Sequence, residues 1–215
     1  MPVNVLFLPA FTLLGQPVTP LEIAAFVTGL ACVWLAVKMH IANWPMSMVS
    51  VACYSVLFFN AKLYADAVLQ GVFFAFALYG WWCWRRGETE AAAGVTRATL
   101  RGGVGVLIMV LAGGVAVALY LKHFTDSPAP VIDAAILAIS LGALWWQARK
   151  VLECWWLWIL VDVISIPFYW SRDLGLTSVL YAIFLVMCIM GLAEWRARLS
   201  PDAFADPARK AKVAA

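Results

Sequence analysis

Polar and aromatic side chains recur at helical spacing in two apolar stretches of this sequence. In one stretch they are three, four, three and four residues apart, at Trp155, Trp158, Asp162, Ser165 and Tyr169. In an earlier stretch the stripe consists of Asn43, Ser47, Ser50, Tyr54 and Phe58. Residues at such spacing share one face of a helix, and a polar face has no reason to point at lipid. The spacing therefore predicts two helix faces that could bind a solute.

Asp162 is the residue in these stripes with the most specific chemistry. It lies near the middle of an apolar run, where a carboxylate is costly and usually faces a wet cavity or a partner group. No Lys or Arg lies at membrane depth to pair with it. The alternative is that Asp162 is protonated, or hydrogen-bonded to Ser or Tyr as a structural lock. Indole faces bind flat aromatic rings and cations, so the predicted solute is small, polyhydroxylated or aromatic, and of a kind that includes cations.

A third polar position, Gln70, shares a helical stripe with two tryptophans, Trp81 and Trp84. An amide both donates and accepts hydrogen bonds, which suits ribose-like hydroxyls. The two tryptophans lie near the predicted cytoplasmic end, so they are equally explained as residues of the interfacial aromatic belt. The later helix repeats this stripe with Tyr181 in the place of the glutamine, and with Leu185, Cys188, Leu192 and Trp195.

Common enzyme and metal signatures are absent from the sequence. The five cysteines are widely spaced without a CxxC pair, so we interpret them as packing residues, and the two histidines have no partner at ligand spacing. There is no Gly-rich phosphate loop, GxSxG or HExxH motif. We therefore predict no catalytic residue, no bound metal and no cofactor. A net charge of +3 with dispersed basic residues also argues against nucleic-acid binding.

The composition places the helices that carry these residues in a lipid bilayer. The chain has 215 residues, of which 65% are hydrophobic and 13% charged, and its mean hydropathy is +0.89. One soluble core cannot bury that apolar excess. Seven apolar runs are each compatible with a membrane-spanning helix, at residues 21–37, 45–59, 65–84, 103–121, 131–148, 155–170 and 174–193. The shorter run 3–14 is interpreted as an interfacial helix rather than a signal peptide.

Basic residues predict the orientation of the seven runs. If the runs alternate across the membrane, twelve Lys and Arg lie on one side and three on the other, at Lys62, Lys122 and Arg172. Because cytoplasmic loops hold the excess of basic residues, the N-terminus is predicted outside and the C-terminus in the cytoplasm.

An internal repeat predicts how the helices are grouped. A shift of 112 residues aligns Trp44 with Trp156, and a one-residue deletion then aligns Gly80 with Gly191. This predicts an all-α membrane fold of two parallel three-helix repeats joined by one connector helix, with the substrate site between the repeats. The predicted boundaries are 1–20 for the interfacial segment, 21–86 and 131–198 for the repeats, 87–130 for the connector and its loops, and 199–215 for the tail. The second helix of each repeat is predicted to be the shortest and to be interrupted by a proline, at Pro45 and Pro167.

Several of these motifs resemble the PnuC family of vitamin transporters. The resemblance covers about residues 21–200 and is carried by the run from Val151 to Tyr169, by Leu63-Tyr64-Ala65-Asp66, by Leu69-Gln70 and by Tyr79-Gly80-Trp81-Trp82-Cys83-Trp84. On this resemblance Trp81 and Trp84 fit the family's WxxW motif, and Gln70 fits its glutamine. Cys154 departs from the family, in which many members have Asn, so a role for that amide does not carry over.

The resemblance implies a function and partners. They are uptake of nicotinamide riboside by facilitated diffusion, trapping through phosphorylation by a cytosolic kinase, a homotrimer, and a bacterial inner membrane. By alternating access of the two triplets, Asn43, Gln70 and Asp162 would bind polar groups, and Trp44, Trp158 and Tyr181 would enclose the ring. The full predicted substrate-binding set is Asn43, Trp44, Tyr54, Phe58, Gln70, Trp81, Trp84, Trp155, Trp158, Asp162, Ser165 and Tyr181. Alternatives are a sugar transporter of SWEET-like architecture, a carrier of a related vitamin such as thiamine or riboflavin, a lipid enzyme, or a structural trimer.

Overall fold

The computed structural model describes residues 8, 10–13, 16–60, 64–89, 94–125, 129–171 and 175–199. In this part of the chain seven helices follow a short β-hairpin. The strands are β1 (Phe11–Leu13) and β2 (Gln16–Val18). The helices are α1 (Pro20–Val37), α2 (Asn43–Asn60), α3 (Tyr64–Thr89), α4 (Leu100–Phe124), α5 (Pro130–Ala148), α6 (Cys154–Trp170) and α7 (Gly175–Ala197). The predicted helical class and the number of helices are confirmed for the described residues.

The predicted interfacial helix at residues 3–14 is wrong where the structure describes it. Phe11–Leu13 pairs antiparallel with Gln16–Val18, and the Ala10 N–H donates to the Val18 carbonyl at 2.8 Å. Pro17 and Pro20 cannot continue a helix, because proline lacks the N–H and restricts the residue before it. Apart from Leu8 and Ala10, the rest of the predicted helix lies outside the described residues.

Local capping chemistry explains where the first helix begins. Thr19 and Glu22 form a capping box, in which the Thr19 hydroxyl accepts from the Glu22 N–H at 3.2 Å and Glu22 accepts from the Thr19 N–H at 2.7 Å. Pro20 at the first helical position has no N–H to leave unpaired. Together these residues fix the start of α1 directly after β2.

The α1–α2 and α5–α6 turns have the same backbone geometry. Each helix ends in a left-handed residue, Met39 with φ 56° and Lys150 with φ 54°. The following N–H then donates five residues back, from His40 to Leu35 at 2.8 Å and from Val151 to Trp146 at 3.0 Å. This is the Schellman motif, here closed by non-glycine residues.

These matching turns correct the register of the predicted repeat. Met39 and Lys150 are 111 residues apart, as are the starts of α2 and α6 and the starts of α3 and α7. The predicted shift of 112 followed by a deletion is therefore wrong. In the observed register Asp162 corresponds to Val51, not to Ser50.

The predicted proline interruptions do not correspond either. In the observed register Pro45 corresponds to Trp156 rather than to Pro167. Pro45 lies in the first turn of α2, where a backbone N–H needs no intrahelical partner, and Pro167 lies near the end of α6. The two helices have 18 and 17 residues, so they are close in length to α1 with 18 and α5 with 19.

The chain divides into two compact units, residues 1–82 and 83–215, with the division inside α3. In the first unit α1 packs on α2, where the Ser50 hydroxyl donates to the Ala25 carbonyl at 3.0 Å. The indole of Trp44 in α2 covers Gly80 in α3, where a Cβ would collide with the ring. These contacts hold the first three helices together.

In the second unit close helix packing depends on small residues. A Cβ at Gly142 of α5 would lie 3.0 Å from Val110 of α4 and 3.4 Å from Leu157 of α6. In α7 Gly191 lies under the indole of Trp155, as Gly80 does under Trp44. The glycines let neighbouring backbones approach, as is common between helices in membranes.

Residues 94–99, which precede α4, are attached to the α5–α6 turn. The Thr96 N–H donates to the Lys150 carbonyl at 3.0 Å, and the Leu152 N–H donates to the Thr96 carbonyl at 2.9 Å. The carboxylate of Glu153 accepts from the Ala98 N–H at 2.8 Å. The entry to α4 is therefore held against the second unit, and Glu153 has a structural role there.

Four of the seven helices, α1, α4, α5 and α7, contain segments long and apolar enough to cross a membrane. α6 is also apolar but has only 17 residues. The most apolar span, α4, exposes large side chains along its length, including Leu107, Ile108, Leu111 and Val115. Such a surface is suited to lipid rather than water.

Candidate functional site

The polar stripe of α6 is buried, and two of its side chains lack hydrogen-bond partners. Asp162 is 3% exposed and Ser165 is fully buried. Within the described part of the chain, Asp162 Oδ2 and Ser165 Oγ have no hydrogen-bond partner. The thiol of Cys188 in α7 donates a hydrogen bond to the Asp162 carboxyl group. Because buried polar atoms are normally paired, the free oxygens indicate a place where a ligand or water supplies the missing bonds.

Tryptophans cluster at the first turns of α6. Trp155 is fully buried against Gly191, and its ring meets Trp195 edge-on with centroids 5.4 Å apart. Trp158 is half-buried, and its indole N–H donates to Gln147 Oε1 at 2.8 Å. Trp84, at the end of α3, donates to the Gln147 backbone carbonyl at 3.2 Å. Aromatic rings from three helices therefore meet around the end of α5.

A second aromatic group lies at the other end of α6. Tyr169 stacks on Tyr181 of α7, with centroids 5.2 Å apart and planes 16° from parallel. Phe184 meets the Tyr181 ring edge-on at 6.0 Å. The α6 stripe therefore carries a carboxylate between two aromatic groups.

Six predicted site residues lie in the first unit. Asn43 is fully buried and donates from Nδ2 to the His40 carbonyl at 2.9 Å, which closes the α1–α2 turn. Trp44 is 1% exposed against Gly80. Tyr54 and Phe58 are half-buried and stacked at 6.0 Å, and Gln70 and Trp81 are also half-buried. Substrate contact by these residues stays a prediction.

The structure brings the other six predicted residues onto the helices of the second unit, at Trp84, Trp155, Trp158, Asp162, Ser165 and Tyr181. The sequence interpretation gave no role to Gln147, and it treated Cys188 as inert packing although Cys188 lies on the α7 stripe. A correct register would have shown Gln147, since a buried amide there stands opposite Ala36.

The chemistry of this site favours binding over catalysis. Among the described residues no group of three or more His, Cys, Asp or Glu could hold a metal ion. A buried carboxylate, a hydroxyl and indole rings can accept hydrogen bonds from a solute, attract a cation and stack on a planar ring. These groups, on apolar helices with exposed apolar surfaces, define a multi-pass α-helical membrane protein with a buried polar stripe.

Comparisons with known proteins identify the family. The family model described as nicotinamide mononucleotide transporter matches residues 19–197. The chain is 31% identical over 199 residues to the riboflavin/roseoflavin transporter RibM of Streptomyces davaonensis, covering 90% of this chain and 92% of that protein. It is 24% identical over 210 residues to the nicotinamide riboside transporter PnuC of Escherichia coli K12, covering 84% and 87%. A crystal structure of the vitamin B3 transporter PnuC superposes with a TM-score of 0.66 at 25% identity, covering 82% of this chain and 80% of that one.

The chain belongs to the nicotinamide mononucleotide transporter family, whose members are membrane transporters. The resemblance to PnuC proteins drawn from the tryptophan-rich motifs is thereby confirmed.

Proposed function

We propose that this protein takes up nicotinamide riboside by facilitated diffusion through alternating access, and that phosphorylation by a cytosolic kinase traps the product. The observation that carries the proposal is the buried Asp162 carboxylate with an unpartnered oxygen on a helix rich in indole rings. Nicotinamide riboside combines a pyridinium cation with a hydroxyl-rich ribose. A carboxylate and aromatic faces complement the ring, and hydrogen-bonding oxygens complement the sugar.

Within the second unit we assign different tasks to the predicted residues. Asp162 and Ser165 bind polar groups of the substrate, since their free oxygens are buried. Trp158 and Tyr181 contact the planar ring, since both are half-buried and therefore accessible. Trp84 and Trp155 support them from the packed side.

The proposed architecture is a pair of parallel three-helix repeats, residues 21–86 and 131–198, joined by α4 as a connector. The matching turns and the 111-residue spacing of α1–α3 and α5–α7 support a duplication. Seven membrane spans would then place the N-terminus outside and the C-terminus in the cytoplasm of a bacterial inner membrane. We also propose a homotrimer, following the family resemblance.

Riboflavin is the second candidate substrate. It is favoured by the 31% identity to RibM across 92% of that protein. Riboflavin carries a neutral three-ring system and a ribityl chain, so it shares the stacking and hydroxyl chemistry but lacks a fixed positive charge. The charge of the substrate therefore separates the two candidates at Asp162.

The test is uptake into vesicles that contain the purified protein. We expect saturable uptake of labelled nicotinamide riboside, competition by unlabelled riboside, no competition by glucose, and no dependence on a proton gradient. Protein-free vesicles are the control. Uptake of riboflavin without the riboside would favour the second candidate, and uptake of neither would overturn the proposed function.

A further inference from the structure

Features that the fold requires occur in both halves of the chain at a spacing of 111 residues. The Schellman turns at Met39 and Lys150 are one example. The indole–glycine contacts are another, Trp44 on Gly80 and Trp155 on Gly191. A third is the cation–π pair, with Lys38 5.3 Å above Trp34 and Arg149 3.3 Å above Trp145. Recurrence in both halves indicates a role in folding rather than in recognising one solute.

The hydrogen bond between Gln147 and Trp158 occurs in one half only. The corresponding residues of the first half are Ala36 and Ser47, which can form no such pair. The fold therefore does not need this bond to make the turn or to pack the helices. A buried amide that serves only one half calls for another explanation.

The surroundings of Gln147 hold it firmly. Its side chain is 5% exposed, and it lies in the last turn of α5. Its backbone carbonyl accepts from the Lys150 N–H at 3.0 Å and from the Trp84 indole at 3.2 Å. The end of α5 is thus fixed by contacts that do not involve the amide group, which leaves Oε1 as a rigid acceptor for Trp158.

Trp158 differs from its neighbours in α6 in a way that makes orientation matter. Trp155 is buried by packing, and Trp156 is 57% exposed on the outer surface. Trp158 is half-buried, so packing alone does not hold its ring on every side. A hydrogen bond at the indole nitrogen removes much of the remaining freedom of the ring.

We propose that Gln147 is a positioning residue that fixes the indole of Trp158 for stacking on the planar ring of the substrate. The proposal rests on the proposed function, in which Trp158 contacts that ring. Gln147 itself need not touch the solute. Its effect is preorganisation, because an aromatic ring held before binding loses less freedom when the ligand arrives.

The first measurement needs no substrate. In protein labelled with 15N-tryptophan, the Trp158→Phe variant identifies the Trp158 indole signal by its loss. We expect Gln147→Met, which keeps the length of the side chain but removes the acceptor, to shift this signal upfield and to speed its hydrogen exchange. The control is Ser140→Ala on the same helix, since the Ser140 hydroxyl bonds to Ile136 within α5 and is remote from Trp158 in the sequence. An unchanged indole signal in Gln147→Met overturns the proposal.

The second measurement is a double-mutant cycle on ligand affinity, with nicotinamide riboside and riboflavin as probes. We expect Gln147→Met to weaken binding roughly 3- to 10-fold, the range expected for loss of one hydrogen bond. In the Trp158→Phe background the same change should have no further effect, because its partner is gone. Equal losses in both backgrounds would show that Gln147 acts directly or only on stability, and would overturn the positioning role.

The two experiments separate the failure of each proposal. If the unaltered protein binds neither probe, the proposed function is wrong, and the indole signal alone decides whether Gln147 orients Trp158. If the unaltered protein binds a probe but the cycle shows no coupling, the proposed function stands and the positioning role fails.

Discussion

A carboxylate buried at the middle of an apolar helix is costly for the fold. Asp162 is 3% exposed, and its described hydrogen-bond partner is the thiol of Cys188, a weak donor. A structural lock of the kind considered from the sequence would be expected to satisfy both carboxyl oxygens, yet Oδ2 has no partner within the described residues. The geometry therefore favours a role in binding over a role in stability.

The Asp162→Asn substitution should affect binding and stability in opposite directions. Loss of the charge is expected to weaken nicotinamide riboside binding by roughly 10- to 100-fold, because a partly desolvated carboxylate attracts a nearby cation strongly. The melting temperature should stay the same or rise, because a neutral amide costs less to bury. Calorimetry and thermal unfolding in detergent measure the two effects.

The control for this substitution is Asp133→Asn in the first turn of α5, near the end of a span. That variant should keep its affinity. Riboflavin binding to Asp162→Asn should change by less than about threefold, since riboflavin is neutral. Equal losses for both solutes would contradict electrostatic recognition of the riboside.

Periodicity alone was sufficient to find part of the candidate site. Trp158, Asp162 and Ser165 were predicted because their spacing places them on one face of α6, and all three lie on described helix with buried or half-buried side chains. Gln147 was missed because one polar residue at the end of an apolar run looks like an ordinary helix end. Its partner is 11 positions along the chain and on another helix, a distance that helical spacing does not encode.

At the scale of elements, each indole–glycine contact joins two helices of one unit. Trp44 links α2 to α3, and Trp155 links α6 to α7. The glycines are required here for space rather than for backbone conformation, because each lies inside a helix. A rigid two-ring side chain cannot move aside as a flexible one could.

Gly80→Ala and Gly191→Ala should therefore both destabilise the protein. The added methyl group would overlap the Trp44 ring in the first case and approach Trp155 to 2.5 Å in the second. Overpacking of this kind costs about 1 to 3 kcal/mol, or roughly 2 to 12 °C in melting temperature for a chain of this size. Thermal unfolding in detergent provides the measurement.

Gly71→Ala is the matched control on α3, because a Cβ at Gly71 would meet nothing within 4 Å. It should leave stability unchanged or raise it by up to about 1 kcal/mol through better helix propensity. If all three variants behave alike, the indole contacts do not set the helix packing.

Element boundaries were predicted from the sequence with uneven success. Apolar runs located all seven helices, because lipid and core both demand apolar surface. The hairpin at Phe11–Leu13 and Gln16–Val18 was missed, since a short apolar segment does not distinguish a strand from a helix. The repeat register was misplaced by one residue because neighbouring tryptophans, Trp155 and Trp156, offered two alignments for Trp44.

At the scale of the whole molecule, the orientation in the membrane rests on the distribution of charge. Arg101 lies at the start of α4 and Lys122 near its end, and both are exposed. Twenty-five helical residues extend about 37 Å, enough to cross the hydrocarbon core. The two residues should therefore lie on opposite sides of the membrane.

Single cysteines at these positions test the orientation. In intact cells a membrane-impermeant maleimide should label Lys122→Cys, whereas Arg101→Cys should react only after the cells are opened. The unaltered protein sets the background, because its five cysteines are all half-buried or buried. The reverse pattern would invert the proposed topology, and labelling of both in intact cells would contradict a spanning α4.

Family membership was the property of the whole molecule that the sequence predicted best. Tryptophan-rich motifs with fixed spacing survive where apolar residues exchange freely, so they carry more information than composition does. The choice between nicotinamide riboside and riboflavin was not resolved in the same way, because both solutes offer a planar ring and a hydroxylated chain. That choice depends on how single side chains such as Trp158 are held.

The 111-residue spacing of equivalent positions makes the polypeptide its own reference sample. A substitution in one half has a twin in the other, within the same molecule, detergent and expression level, so that shared disturbances cancel when the twins are compared. Twins that respond equally report on architecture. Twins that respond unequally mark where the two halves have diverged for transport.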